Sequence, residues 1–297
     1  MATVTEEKEP RKGVKLSIVR HVVQVLALLV FCLPVVVAGW SLFGANGGAA
    51  ELSDDAVATP AQLPFFGTLS SSDVGPVTVL DPFAMLQAVA ASKAFSPDWL
   101  IGVLPVLLVY GLIRGRVFCG WVCPVNLVLE AVDWVRRKVR PGSQLPERVV
   151  PRHVKLYVAA AVLVLSAVVS VPVFEVVSPV SFLNKGLLLG STVGGCTLLA
   201  IVVAELFWGH RVWCRALCPL GGFYQALGKV GLVNVKADHG KCIGCDKCKK
   251  ACLCDPVILD DVVAGAAPAV CAGDCMLCGK CVDACPTGCL TVGVGRK

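Results

Sequence analysis

The sequence predicts an α-helical membrane protein in which four transmembrane helices precede a small, cysteine-rich α+β domain. Of its 297 residues, 56% are hydrophobic and 16% are charged, and the mean hydropathy is +0.75. Because soluble domains average about 25% charged residues, this composition favours a lipid environment. Eleven of the 17 cysteines lie between Cys242 and Cys289, which separates the C-terminal part of the chain from the rest.

Four uncharged stretches approach the length of about 20 apolar residues that a helix needs to cross a bilayer. They are Val22–Trp40, Trp99–Ile113, Leu156–Phe174 and Gly186–Ala204. A cleaved signal peptide is the alternative interpretation of the first stretch. That stretch is long for a signal peptide and lacks a small-residue cleavage site, so we expect it to be a retained helix.

The distribution of lysine and arginine predicts the orientation of these helices, since basic residues are enriched in cytoplasmic loops. Residues 1–21 contain five, residues 114–155 nine and the tail after residue 205 eleven, whereas residues 41–98 and 175–185 contain one each. We therefore expect a multi-pass protein of the bacterial inner membrane with both termini in the cytoplasm. The predicted domains are a cytoplasmic segment 1–21, a four-helix membrane domain 22–230 and a cysteine-rich domain 231–297.

Two cysteine runs in the tail have the spacing of bacterial ferredoxins. Cytosolic thiols stay reduced, so metal binding is favoured over disulfides. Each run reads Cys-x2-Cys-x2-Cys-x3-Cys, a spacing in which three cysteines hold one [4Fe–4S] cluster and the fourth holds the other. The predicted ligands of cluster 1 are Cys242, Cys245, Cys248 and Cys285, and those of cluster 2 are Cys275, Cys278, Cys281 and Cys252. The tail is thus predicted to be a cytoplasmic, double-cluster, ferredoxin-like (α+β) domain.

Some details of the runs leave alternatives open. Two Cys-x2-Cys pairs can form a four-thiolate zinc site, but the third cysteine in each run fits tetrahedral zinc poorly. Proline does not follow Cys252 directly, so Cys254 competes with it as the remote ligand of cluster 2. Cys271 and Cys289 have no assigned role.

A second motif, Cys-x3-Cys-Pro, occurs twice, each time after an apolar stretch. It reads "RVFCGWVCPVN" and "HRVWCRALCPLG", and it contains Cys119, Cys123, Cys214 and Cys218. Cysteines four residues apart share one helix face, and proline after the second one disfavours helical geometry there. The spacing of the two motifs suggests a duplicated two-helix unit. The four cysteines could hold a further metal centre, act as two dithiols, or pack at the helix ends as small apolar residues.

The histidines and acidic residues limit the other chemistry that is expected. No histidine pair lies inside the four stretches, so no haem is expected, and no glycine-rich dinucleotide fingerprint precedes an acidic residue. Quinol oxidation would need proton acceptors, and the candidates are Asp81, Asp98, Glu175, Glu205 and His210. Each of them could equally be an interfacial or capping residue. In particular, Asp81-Pro82 is typical of a helix N-cap followed by proline.

Several stretches together resemble the NapH family, the ferredoxin-type membrane subunit associated with periplasmic nitrate reductase. They are "FFGTLSSSD", "VLDPFAMLQ", "FCGWVCPVN", "PRHVK", "SPVSF" and "CPLGGFYQALGKVGLV", in that order. The methylamine-utilisation ferredoxin-type protein is similar as well. The absence of proline after Cys252 departs from the pattern of the family.

The resemblance implies a redox subunit of a quinol dehydrogenase complex rather than a stand-alone enzyme. Such a subunit would take electrons from the membrane quinol pool and pass them through [4Fe–4S] clusters to a periplasmic iron–sulfur protein or reductase in nitrate respiration. The alternative is a factor that supplies electrons for the maturation of a periplasmic metalloenzyme such as methylamine dehydrogenase. No nucleic-acid partner is expected.

Overall fold

The computed structural model of the chain describes residues 15–42, 65–67, 71–74, 77–139, 150–183 and 192–295. Most of the predicted segment 1–21 and the beginning of the fourth apolar stretch lie outside the described residues. So does part of the stretch "FFGTLSSSD".

Helices form most of the first 230 residues. They are α1 Leu16–Leu42, α2 Pro82–Ser92, α3 Asp98–Ile113, α4 Val117–Trp121, α5 Pro124–Val139, α6 Val154–Val169, α7 Val173–Val177, α8 Pro179–Ser181, α9 Thr192–Phe207 and α10 Pro219–Leu227. A π-helical turn, Trp213–Leu217, precedes α10. Three short strands form an antiparallel sheet between α1 and α2, namely β1 Phe65–Gly67, β2 Ser71–Val74 and β3 Val77–Leu80.

The cysteine-rich tail is built from one strand pair and short helical turns. The strands are β4 Val233–Ala237 and β5 Leu290–Val294, and the helices are α11 Lys247–Lys250, α12 Asp260–Val263 and α13 Lys280–Ala284. The strands pair antiparallel, with Val233 opposite Val294 and Ala237 opposite Leu290. The sheet therefore joins the beginning of the tail to its end and closes the two cysteine runs into one unit.

The prediction of four transmembrane helices is wrong. Among the residues that the structure describes, no helix is both long and apolar enough to cross a membrane. Helices α3, α6 and α9 have 16 residues each, which gives a length of about 24 Å at 1.5 Å per residue, short of a hydrocarbon core of about 30 Å. The third apolar stretch is interrupted because Ser170 adopts a left-handed conformation, with φ of 58°, and ends α6.

The helical part has its own apolar core, which centres on aromatic side chains of α2, α4 and α10. Phe118 stacks on Tyr224 with ring centroids 5.5 Å apart, and Phe83 contacts Phe174 edge to face. Asp81 caps α2 by accepting from the amides of Phe83 and Ala84, which confirms the predicted cap. Its other oxygen accepts from the Tyr224 hydroxyl at 2.6 Å, so the cap also ties α2 to α10.

Buried polar contacts hold the tail against the helices. The guanidinium of Arg114 donates to the carbonyls of Val233 and Val270 at 3.1 and 2.9 Å. Asp283 of the tail accepts from the first two amides of α1, those of Leu16 and Ser17, at 3.0 and 2.8 Å. These contacts fix the cysteine runs relative to the Cys-x3-Cys-Pro motifs.

Candidate iron–sulfur sites

The first cavity of the tail, about 280 Å³, is lined by the four cysteines predicted to hold cluster 1. They are Cys242, Cys245, Cys248 and Cys285. Gly244 and Asp246 have φ of 65° and 54°, and such left-handed residues allow a short chain segment to turn tightly. Three thiols therefore come from one loop, and the fourth comes from the end of α13.

Cys289 is a fifth thiol at this cavity, and sequence reasoning gave it no role. Its Sγ lies 3.4 Å from the Sγ of Cys285. Burial opposes ionisation of Cys285, but hydrogen bonds with Thr287 and Cys289 outweigh it and lower the pKa of Cys285 to about 7. Burial and the contact with Cys285 raise the pKa of Cys289 to about 12. Cys289 therefore stays a protonated neighbour that favours the thiolate of Cys285. The sequence feature that could have indicated this contact is the spacing of four residues between Cys285 and Cys289.

The second cavity, about 340 Å³, is lined by the cysteines predicted to hold cluster 2 together with Cys254. The predicted set is Cys275, Cys278, Cys281 and Cys252. Leu277 and Gly279 have φ of 49° and 75°, so this loop turns in the same way as the loop of the first run. Helices α11 and α13, which carry Cys248 and Cys281, pack against each other, so the two tail cavities are neighbours.

Cys252 and Cys254 both reach the second cavity. The thiol of Cys252 donates to the carbonyl of Asp255 at 3.5 Å. A hydrogen bond from Cys252, helped by the charge of Arg116 and opposed by burial, lowers the pKa of Cys254 to about 6. Cys254 acts electrostatically on Cys275 and Cys278, and Cys278 acts on Cys252. The identity of the remote ligand therefore stays a prediction.

The two Cys-x3-Cys-Pro motifs meet at a third cavity of about 450 Å³ in the helical part. Cys119, Cys123, Cys214 and Cys218 all line it. Cys119, Cys214 and Cys218 all act electrostatically on Cys123, and Cys119 and Cys218 act on Cys214. All four are free thiols. Cysteines that are 95 residues apart in the sequence are therefore neighbours in space.

The Cys-Pro pairs have the same structural role in both motifs. Pro124 and Pro219 are the first residues of α5 and α10, a position where the missing N–H of proline costs nothing. Cys218 is extended, as predicted for a residue before proline, and its Sγ accepts from the amide of Gly221 at 3.4 Å. The Sγ of Cys123 likewise accepts from the amide of Asn126. One thiol of each motif thus lies at the positive end of a helix, which favours a thiolate.

Burial raises the pKa of three thiols of the third cavity, those of Cys123, Cys214 and Cys218. It raises the pKa of Cys214 to about 12 and that of Cys218 to about 11. Arg116, which is 1% exposed, also lines the cavity and donates to the carbonyl of Cys214 at 2.8 Å. A group bound by four thiolates here would be screened from water and would face a buried cation.

One short segment of the tail separates the third cavity from the second. Met276 lines the third cavity, and its neighbours Cys275 and Leu277 line the second. A side chain at Gly120 would place Cβ 2.6 Å from the carbonyl oxygen of Met276, so only glycine permits this approach. The indole of Trp121 donates to the carbonyl of Leu277 at 3.1 Å.

Asp274 anchors this segment from its other end. Its carboxylate forms an ion pair with Lys155 and accepts from Gln225 at 2.9 Å. Arg116 donates to its carbonyl at 2.9 Å. Asp274 is 2% exposed, and Lys155 and Arg116 are buried with it. This joint between the two parts could not be predicted from the sequence, because its members come from four distant segments.

The candidate proton acceptors fall into different environments. Burial raises the pKa of Asp81 to about 6, although Tyr224 hydrogen-bonds to it. Burial also raises the pKa of Glu205, despite the opposing charges of Arg211 and His210. His210 is 2.7 Å from Asp133, while Glu175 accepts from the hydroxyl of Ser181 at 3.0 Å. Asp98 lies in the first turn of α3. They do not form one cluster, and a quinol site at any of them stays a prediction.

The donor sets fit iron–sulfur clusters, and comparison with known proteins agrees. A family described as "4Fe-4S binding domain" matches residues 95–141 and 192–237, which contain the two Cys-x3-Cys-Pro motifs. A second family with the same description matches residues 272–291, which contain the second ferredoxin run. No solved structure matches the chain.

Curated relatives extend over most of the chain. The ferredoxin-type protein NapH of Escherichia coli K12 is 32% identical over 231 residues, which are 76% of this chain and 79% of the relative. The methylamine utilization ferredoxin-type protein MauN of Paracoccus denitrificans is 34% identical over 211 residues, 70% of this chain and 74% of the relative. MauN of Methylorubrum extorquens is 35% identical over 222 residues, 74% of this chain and 76% of the relative. The chain therefore belongs to the family of ferredoxin-type iron–sulfur electron-transfer proteins that includes NapH and MauN.

Proposed function

We propose that this protein takes electrons from a quinol and delivers them to a periplasmic iron–sulfur protein or reductase, with two [4Fe–4S] clusters in its tail. The observation that supports this most is the pair of adjacent cavities, each lined by one complete predicted ligand set. A bound [4Fe–4S] cluster exchanges single electrons. Cys242, Cys245, Cys248 and Cys285 would hold one cluster, and Cys275, Cys278, Cys281 and Cys252 the other.

The residues around the two cavities differ in their access to solvent, and this difference suggests which cavity exchanges electrons with another protein. Cys245 is exposed at the first cavity, and Ile243 beside it is 67% exposed. In contrast, Cys275, Cys278 and Cys281 at the second cavity are all buried. An exposed edge suits electron exchange with another protein, so we assign such exchange to the first cavity and not to the second.

The helical part has features that suit a quinol. Apolar side chains on α3, α6 and α9 are more than half exposed, among them Leu104, Tyr157 and Phe207, and such a surface suits a lipid-soluble molecule. Oxidation of a quinol releases protons as well as electrons. A carboxylate with a pKa near 6, as at Asp81, is suited to accept one of them.

The MauN relatives support a second candidate function about as well as the NapH relative supports the first. MauN proteins, at 34% and 35% identity, are described as acting in methylamine utilization. In that alternative, the same cysteines would serve a chain that supplies electrons for the maturation of a metalloenzyme. With NapH as the guide, the acceptor would instead belong to nitrate reduction.

A direct test is the reduction of the reconstituted full-length protein by a quinol analogue under anaerobic conditions. We expect the visible absorption of the oxidised clusters to bleach after addition of the quinol, and dithionite to add little more. The wild type is compared with the Cys245→Ser variant, which should lose cluster 1 and retain cluster 2. If dithionite bleaches the protein and quinols of both low and high potential do not, the proposed donor is wrong.

A further inference from the structure

The cavity between the two Cys-x3-Cys-Pro motifs resembles the two tail cavities in its lining. Like them it is lined by four cysteines, here Cys119, Cys123, Cys214 and Cys218. At about 450 Å³ it is no smaller than the tail cavities of about 340 and 280 Å³. The helical part therefore has a cavity lined by the four thiols that a [4Fe–4S] cluster needs as ligands.

We propose that these four cysteines together hold a third [4Fe–4S] cluster, with two ligands from each repeat. One repeat supplies only two thiols to the cavity, so a single cluster bridging both repeats accounts for all four. Each repeat contributes one thiol from a short helical turn and one from the N-terminus of the following helix. The inference rests on the iron–sulfur function above and does not depend on the identity of the electron donor.

Buried arginine nitrogens without hydrogen-bond partners support an anionic occupant of the cavity. Arg116 and Lys155 share the carboxylate of Asp274, so this buried group contains more positive than negative charge. The Nε of Arg116 has no hydrogen-bond partner, and neither do the Nε and Nη2 of Arg211, although all three atoms are buried. The charges of both arginines act on Cys214. A thiolate-ligated cluster is negatively charged and its sulfurs accept hydrogen bonds, so it would offset the excess positive charge and offer an acceptor to Arg116, which lines the cavity.

The alternatives explain fewer of these observations. Simple packing of apolar thiols would not account for buried arginine donors that have no hydrogen-bond partner. Four thiolates could also bind zinc, and metal analysis separates the two occupants. Two separate dithiols would pair Cys119 with Cys123 and Cys214 with Cys218, whereas thiols of different repeats interact as well.

The position of the third cavity places it next to cluster 2 and away from cluster 1. Met276 contributes to its wall, and the flanking Cys275 is a predicted ligand of cluster 2. Cluster 2 in turn adjoins cluster 1, because α13 with Cys281 packs against α11 with Cys248. The three cavities therefore form a row that leads from the helical part to the exposed edge at Cys245.

The test is the iron and sulfide content of the full-length protein after anaerobic reconstitution, combined with Mössbauer spectroscopy. Three clusters correspond to about twelve irons per chain, and two clusters to about eight. We expect about twelve in the wild type, and about eight in Cys119→Ser and in Cys214→Ser, with all iron in cubane form. Cys196→Ser is the matched control, because Cys196 is exposed on α9 and is not among the residues that line the cavity.

A wild-type protein with about eight irons would overturn the inference even if a variant failed to fold, as would unchanged iron in both variants. Eight irons with one stoichiometric zinc would assign the cavity to zinc instead. Each of these outcomes leaves the tail clusters intact. A failure of the proposed function differs, because it would appear as clusters that no quinol reduces.

Discussion

The two kinds of cysteine motif in this chain assemble their sites in opposite ways. In the tail, three thiols of each site come from one loop of a few residues, and only the fourth comes from the other run. In the helical part, no more than two thiols come from one segment, and the set is complete only when two repeats pack together. The first kind of site is therefore visible in a local spacing, whereas the second depends on the fold.

The same contrast appears in how the sites are stabilised. Left-handed residues such as Gly244 and Gly279 shape the tail loops, and these are local features. The third cavity depends on helix ends and on buried ion pairs that join distant segments, above all those of Asp274. Changes within a tail loop should thus affect one cluster, while changes at the joint should affect the whole molecule.

The largest local effect is expected at the remote ligand of cluster 2. The three-residue spacing in the first run predicts that Cys252→Ser loses about four irons per chain, while Cys254→Ser retains its full iron content. Cys271→Ser, at an exposed thiol of the same domain, is the control. Iron analysis of the three purified variants decides the assignment, and the reverse pattern would make Cys254 the ligand.

The joint between the two regions is tested by Asp274→Ala. The change leaves Lys155 and Arg116 buried beside a missing carboxylate, and breaking a buried ion pair in this way costs about 3–5 kcal/mol. We expect the free energy of unfolding, measured by urea titration of the cluster-loaded protein, to fall by that amount. The exposed Asp261→Ala should change it little, and equal effects of the two variants would contradict a joint at Asp274.

A smaller effect should accompany the titration of Asp81. Its pKa is about 6 in the folded protein against 3.8 ordinarily, so the folded state retains a proton that the unfolded chain loses. The contribution of Asp81 to the free energy of unfolding is therefore fully present below pH 4 and is lost as the pH rises through about 6. A shift of this size corresponds to about 3 kcal/mol.

Comparison of the wild type with Asp81→Asn isolates this contribution from other titrating groups. The amide can still cap α2 but does not ionise. The difference between the two unfolding free energies should shift in favour of the variant between pH 4 and 6. A constant difference across this interval would show that Asp81 titrates normally.

The smallest expected effect concerns the cap that the tail provides for α1. Asp283→Ala removes the acceptor for the amides of Leu16 and Ser17, and the loss of such a cap costs about 1 kcal/mol. Asp283→Asn should retain most of that stability, because asparagine caps equally well. Thermal unfolding followed by circular dichroism would measure both, and a larger loss in the Asn variant would argue against capping.

The sequence predicted those parts of the molecule that depend on short-range patterns. The two ferredoxin runs, the Asp81-Pro82 cap and the extended residue before Pro219 follow from spacing and from backbone sterics. The third predicted transmembrane helix failed because hydropathy does not register the left-handed Ser170 that ends α6. The joint at Asp274 and the role of Cys289 beside Cys285 could not be predicted, since each depends on which side chains the fold brings into contact.

The row of three cluster sites, with cluster 2 in the middle, is tested most directly by electron paramagnetic resonance of the fully reduced, full-length protein. Reduced clusters in adjacent cavities should couple, so the wild-type spectrum should be broadened by spin–spin interaction. Cys278→Ser should remove the middle cluster and leave narrow spectra of isolated clusters, whereas Cys245→Ser at the outer site should retain a coupled pair. Broadening that persists unchanged in Cys278→Ser, or that is absent from the wild type, would contradict this arrangement.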